Sequence, residues 1–344
     1  MLDRLATIRA AKACVSPVGA SALPCDASRM RATDRAGAGA VYCGFTSSAA
    51  REWLARLRLA TAHCALVAYT IVVGGYDGGL GPVPRCLQRS TCHIAFVDAP
   101  SRAAMAAGGT RTGGWALYDL PTPLPFPDSP QRLAHTFKIA ASWLFPAAKF
   151  VIYLDGKIQL RKASELIARD VRNRTHLPYV VMEHPSQPNG PLAVEDEFEA
   201  SQKRVNQTEV GAMHARDTAD IAAQRALYAS EGAFNRMFGM LDAQMLLQNR
   251  VGEVGSTDAA VVRRLHAPDV IRWLECVWFN EVVLFSHREQ NSFWYAVDEL
   301  GLRRQVYVVP TKSNRAMDRW TRRNIKQTSD FYVPSRWRHM NAGP

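Results

Sequence analysis

Apolar and polar positions along this chain fall into blocks that read alternately as strands and helices. The run Phe150-Val151-Ile152-Tyr153-Leu154 is continuous in apolar and aromatic side chains; it then meets Asp155 and Gly156 before alternation resumes through Ile158 and Leu160. Such a run suits a strand buried on both faces, as in the middle of a parallel sheet. Its aspartate then falls at the strand's carboxyl end, where ligands of open α/β sheets gather. The alternative is a hairpin with Asp155-Gly156 as its turn, and the local pattern leaves both open.

Upstream, Ser47 or Ser48 can cap a helix carrying Trp53, Leu54 and Leu57. Ala65–Gly75 reads as a buried strand breaking into the glycine-rich loop Gly74–Gly79, and Cys92–Asp98 as a second strand ending on an aspartate. A glycine-rich loop lets backbone amides approach a ligand closely. Residues 99–129, with Gly108-Gly109, Gly113-Gly114 and five prolines between 121 and 130, read as irregular. Pro130–Phe145 predicts a helix with Leu133, Phe137, Ala141 and Leu144 on one face and Arg132, His135 and Lys138 on another. Taken alone, that basic face is a solvated one.

Downstream, Ser164 can cap a helix through Val171, and Tyr179–Glu183 predicts a strand ending at His184-Pro185. Residues 195–207 read as a helix whose acidic start and basic end suit its dipole. Residues 218–229 read as a helix and Met240–Gln248 as a strand. Asp269–Phe285 is an amphipathic helix through Ile271, Leu274, Trp278, Val282 and Phe285. Ser286-His287-Arg288-Glu289-Gln290 interrupts it, and Ser286-x-x-Glu289 has the spacing of a capping box. Asn291–Leu300 predicts a further helix and Gln305–Val309 a last strand. The tail from Lys312 to Arg338 mixes Lys and Arg with Trp320, Phe331, Tyr332 and Trp337. It reads either as solvated or as a surface for RNA or lipid headgroups. Strands alternating with helices predict an α/β sandwich with a mostly parallel central sheet. Residues 64–310 form the domain, 1–45 a low-order extension and 311–344 a basic tail.

Composition changes this picture in three places. A net charge of +11 favours anionic partners such as nucleotide diphosphates, acidic glycans, nucleic acid or a membrane surface. The seven cysteines are odd in number and match no zinc spacing, so no disulfide framework is indicated; one local bridge, Cys86 to Cys92, would suit an oxidising compartment. No stretch reaches the about 18 to 20 apolar residues that cross a bilayer; Leu59–Val73 comes nearest and carries His63 and Thr70. Residues 1–40, rich in Ala, Arg and Ser, share the bias of transit peptides or form a disordered extension. Sequons stand at Asn173 and Asn206. The absence of Gly-x-Ser-x-Gly, a Walker loop, His-Glu-x-x-His and Cys-x-x-Cys removes the commonest hydrolases, kinases and zinc enzymes.

Six blocks taken together carry a resemblance. They are Tyr69–Asp77, Ala95–Asp98, Arg132–Lys138 with Leu144-Phe145-Pro146, Tyr153–Leu160, Glu183-His184-Pro185 and Ser286–Phe293. In this order, over roughly residues 64–300, they resemble domain-of-unknown-function family 616, the glycosyltransferase-like domain of the plant turgor-regulation-defect and mucilage-related proteins. The resemblance implies a GT-A-like (nucleotide-diphospho-sugar transferase) fold and a hexosyltransferase that moves a sugar from a nucleotide sugar to a carbohydrate or lipid acceptor. Polysaccharide biosynthesis in the Golgi, with no nucleic-acid partner and with membrane-surface contact through the basic tail, is the implied setting. Lys138, Trp143, Tyr153 and Asp155 also resemble glycogenin-like transferases, in which a helix lysine precedes the strand bearing a metal-binding Asp-x-Asp. Here Asp155 is followed by Gly156 and Lys157 instead of a second aspartate.

The resemblance assigns Asp155, Glu289 and Arg288 to catalysis, with Asp155 the residue to hold Mn2+ or Mg2+. It assigns Gly74, Gly75, Tyr76, Asp77, Asp98, Arg132, Lys138, Lys157 and His184 to the donor and Gln290 to the acceptor side. Glu289 is claimed equally by capping and by catalysis. Two rivals remain: a ceramidase-like lipid amidase, for which no nucleophile or zinc set is evident, and a non-catalytic nucleotide-sugar-binding or glycan-binding protein of the same fold.

Overall fold

The computed structural model describes residues 47–74, 80, 83, 91–107, 113–122, 126, 129–156, 163–173, 175–183, 194–208, 212–237, 241–251, 253–254, 265–285 and 288–309. The expectations for residues 1–45, Gly75–Gly79, Lys157, His184 and the tail from 311 lie outside these.

Ser47 accepts the Ala50 N–H at 3.1 Å and caps α1, Ser48–Thr61, as its place ahead of Trp53 predicts. Strand β1, Leu66–Val72, is buried at every position, and β2, Cys92–Val97, nearly so. The stretch expected to be irregular instead holds α2, Ala99–Ala107, and β3, Ala116–Asp119. Neither has the stripe that pattern reading needs. Helix α2 buries only Ser101 and Met105, and edge strand β3 leaves Ala116 and Asp119 exposed.

The helix predicted over Pro130–Phe145 is two, α3 (Pro130–Ile139) and α4 (Ala141–Leu144), broken at Ala140. Continuation would pair the Ser142 N–H with the Lys138 carbonyl. Instead that carbonyl accepts the Tyr69 hydroxyl at 2.6 Å, and the Ser142 N–H turns to both oxygens of Glu275 at 3.0 Å. Strand β4, Phe150–Leu154, follows, then α5, Ser164–Arg172, whose N-cap is Ala163 and not Ser164, a buried first-turn residue. Next come β5 (Tyr179–Glu183), α6 (Val194–Thr208), α7 (Ala212–Ser230), β6 (Leu241–Asn249) and a small ribbon of β7 (Glu253–Val254) and β8 (Leu265–His266). The chain then forms α8 (Ala267–Leu284), a 3-10 turn at Glu289–Asn291, α9 (Phe293–Glu299) and β9 (Val306–Val309).

Among the described residues, seven strands make one sheet in the order β3-β2-β1-β4-β6-β5-β9, with β6 alone running against the rest. Strand β4 pairs with β1 (Leu66 beside Phe150) and with β6 (Phe150 beside Asn249). Both its edges are therefore taken by distant segments, which removes the hairpin. Its continuous apolar run follows from a sheet covered on both faces. Val151 and Tyr153 pack with Phe137, Trp278 and Phe285 on one side; Ile152 and Leu154 pack with Met105 and Ile167 on the other.

Cys92 is bridged to Cys64, not to Cys86. Parallel pairing sets Val67 beside Cys92, so Cys64, just ahead of β1, lies next to the start of β2 although 28 positions away in sequence. Cys276 is also disulfide-bonded. Among the described residues, no helix is long and apolar enough to cross a membrane.

Candidate functional site

The carboxyl ends of β1, β2 and β4 carry Gly74, Asp98 and Asp155. Gly74 has φ +71°, in the left-handed region that glycine adopts without strain. A Cβ there would lie 2.9 Å from Pro130 Cβ, so the turn after β1 is pressed against the start of α3. Asp98 fastens the same turn. Its Oδ2 accepts the Gly74 N–H at 2.7 Å and its Oδ1 the Ser101 N–H at 2.9 Å. A donor-facing role was expected for Asp98; the geometry makes it a buried brace between β1, β2 and α2.

Arg132 departs further from expectation. Its side chain is 3% exposed, and its guanidinium donates to Asp217 Oδ1 at 2.9 Å and to the Val283 and Phe285 carbonyls at 3.0 and 2.9 Å. Asp220 lies 3.6 Å away. Arg132 therefore latches α3 to α7 and to the carbonyl end of α8, where a cation is favoured, and it does not face a donor. The basic face of α3 is an inward face, not a solvated one.

Six residues after Arg132, Lys138 forms the hub of the site. Its ammonium lies 2.8 Å from Glu289 Oε1, 3.4 Å from Asp155 Oδ1 and 4.9 Å from the Tyr153 ring centroid. Tyr153 donates its hydroxyl to Asp155 Oδ1 at 2.8 Å. His135, one turn earlier on α3, brings Nδ1 to 3.0 Å from Glu289 Oε2. The Tyr69 hydroxyl holds the Lys138 carbonyl, and the Trp278 indole N–H donates to the Glu289 carbonyl at 2.7 Å, so sheet and α8 fix both ends of the cluster.

Burial pushes the Glu289 carboxyl up, but the His135 and Lys138 charges, the Lys138 hydrogen bond and its own backbone N–H outweigh that and hold it at about 2. The 3-10 turn has Arg288 as its N-cap and no side-chain cap. Glu289 thus serves the lysine and histidine of α3; Ser286, its partner in the expected capping box, lies outside the described residues. Arg288 and Gln290 flank it, both half-buried.

Of the expected residues, the fold brings together Lys138, Asp155 and Glu289, with Arg288 and Gln290 beside the last. It sets Arg132 and Asp98 to structural tasks. His135 and Tyr153 were missed as site residues. The i, i+3 spacing of His135 and Lys138 was the available signal for the first; for Tyr153, a core position in a strand, it was the place in the run Lys138, Trp143, Tyr153 and Asp155.

Among the described residues, the donors around Asp155 do not make up a divalent-cation site. Its Oδ1 already faces an ammonium and a hydroxyl, and among the described residues Asp155 belongs to no cluster of three His, Cys, Asp or Glu able to share an ion. The one such cluster among the described residues, His63 with Cys64 and Cys92, has its two sulfurs joined to each other.

A seven-stranded, mostly parallel sheet flanked by helices, with a buried ammonium–carboxylate cluster at its strand ends, has the form of a glycosyltransferase-like α/β domain. Residues 26–317 match the family described as TOD1/MUCI70, glycosyltransferase-like domain, and the chain belongs to that family. It is also 24% identical over 242 residues to "Probable hexosyltransferase MUCI70" of Arabidopsis thaliana. That alignment covers 68% of this chain and 37% of the relative, so the chain spans little more than a third of that protein's length.

Proposed function

We propose that this protein moves a hexosyl group from a nucleotide sugar to a hydroxyl of a carbohydrate or lipid acceptor, on a GT-A arrangement of its sheet. The observation that carries the reading is the Lys138–Asp155–Glu289 cluster at the carboxyl end of β4, beside the ends of β1 and β2. Ligands of α/β sheets bind outside those ends, and the 25% exposure of the Asp155 side chain makes it the face of the cluster that meets one.

Glycosyl transfer needs a departing diphosphate to be stabilised as charge develops on it, and fixed cations aimed at its oxygens supply much of that. Lys138, 3% exposed, acts from beneath by pairing with two carboxylates and aiming them. Arg288 and Lys157 are the cations offered to the diphosphate itself. Asp155 takes a sugar hydroxyl. No step is assigned to a metal.

The test is incubation of the purified chain with a panel of nucleotide sugars, with and without manganese. Donor turnover that disappears in Asp155→Ala supports the reading. Absence of binding to any nucleotide sinks it, and fatty-acid release from ceramide would point to a lipid amidase instead.

A further inference from the structure

We propose that His135 takes the acceptor's proton during transfer, with Glu289 as its positioning residue and not the base itself. The inference rests on the transferase reading and assigns a residue within that same site.

Both Glu289 oxygens are already engaged, Oε1 by the Lys138 ammonium at 2.8 Å and Oε2 by His135 Nδ1 at 3.0 Å. Its side chain is 5% exposed, and both of its acceptor oxygens are taken up inside the cluster, one by the Lys138 ammonium and the other by the His135 ring N–H. His135 is 20% exposed, so along the chain Lys138–Glu289–His135 the imidazole is the end that an acceptor can reach. An ionised carboxylate accepts hydrogen bonds only, so the Nδ1 that faces it carries the proton. In the neutral ring the lone pair then lies on Nε2. The same carboxylate orients the ring and stabilises the imidazolium formed when Nε2 takes a proton, the logic of any carboxylate–imidazole pair in catalysis.

The step balances as follows. The acceptor oxygen bonds to the anomeric carbon while the bond from that carbon to the diphosphate oxygen breaks, its electron pair leaving with the diphosphate. The hydroxyl proton passes to Nε2 and is later released to water. Displacement by an activated hydroxyl inverts the anomeric centre. Among the described residues, Glu289 on the 3-10 turn faces the ring at 3.0 Å, Arg288 stands at the head of that turn, and Lys138 follows three positions on along the same helix.

His135→Asn is the deciding variant, because its amide keeps a donor near the Nδ1 position and removes Nε2. With the donor found above, kcat should fall by about 10²- to 10⁴-fold, the KM for donor should stay within about threefold, and the acidic limb of the kcat profile should vanish. A kcat within about threefold of wild type, or a product with retained anomeric configuration, overturns the base role. Nitrogen NMR of histidine-labelled wild type, with the His135 signal assigned by its loss in His135→Asn, should show the Nδ1–H tautomer, which Glu289→Gln weakens. An Nε2–H tautomer overturns the pairing whether or not activity is found. No turnover by wild type with any donor overturns the transferase reading and the base role with it. That result is distinct from an active wild type matched by His135→Asn, in which only the base role fails.

Discussion

Glu289→Gln tests the electrostatics of the cluster without reference to any substrate. The substitution keeps the shape and removes the charge that Lys138 and His135 share. Folding holds the Glu289 carboxyl at about 2, against 4.5 for the free group. Because the folded value is the lower one, the unfolded chain binds more protons between these values. The stabilisation is therefore complete above about pH 4.5 and is lost as pH falls through about 2. The difference corresponds to about 3 kcal/mol at pH 5, shrinking to about 1 kcal/mol at pH 3. It lies at the lower end of the about 3–5 kcal/mol that removal of one partner of a buried pair costs. Urea denaturation of both proteins at pH 5 and pH 3 measures it. A gap between wild type and Glu289→Gln that does not narrow toward pH 3 would refute the account, since the carboxylate would then owe its state to something other than the two cations.

Arg132→Met removes the cation that Asp217 and Asp220 share and should destabilise the fold by about 3–5 kcal/mol in a urea titration. Donor affinity of the remaining folded protein should be unchanged, because Arg132 faces α7 and α8. Gly74→Ala places a methyl 2.9 Å from Pro130 Cβ at φ +71°, and a loss of about 1–3 kcal/mol is expected by thermal melting. Opening the Cys64–Cys92 bridge in a double serine variant frees a loop spanning 28 positions and should lower stability by about 3–4 kcal/mol. Mass mapping under non-reducing conditions would show the Cys64–Cys92 peptide pair, and a Cys86–Cys92 pair would contradict that bridge.

Much of the fold was legible because its core elements are strongly patterned. The apolar runs at Leu66–Val72, Cys92–Val97, Phe150–Leu154 and Tyr179–Glu183 name strands outright, since burial on both faces leaves few polar positions in them. The wide stripe from Ile271 to Phe285 names α8 for the same reason. Elements that bury little, α2 and β3, left no such trace. Helix length between Pro130 and Phe145 was also hidden, because the break at Ala140 depends on Tyr69 and Glu275 reaching in from a strand and from another helix.

The site divides along the same line. The order of residue types alone placed Lys138 on a helix, Asp155 at a strand end and Glu289 after a helix, and those are the positions that converge. Which charge meets which is a matter of distances between segments remote in sequence. Lys138 and Glu289 are 151 positions apart, and so is their 2.8 Å contact from anything periodicity records. Arg132 and Lys138 are both cations of one helix, about 120° apart on its wheel. Six residues of helix turn the first toward buried aspartates of α7 and the second toward the strand ends, and only packing decides between them. The sequence by itself determined the strands, the main helices and the residue types at the strand ends, because local pattern encodes burial. The tertiary structure decided the partners, the disulfide and the choice between ligand contact and brace, because each depends on the register of one segment against another.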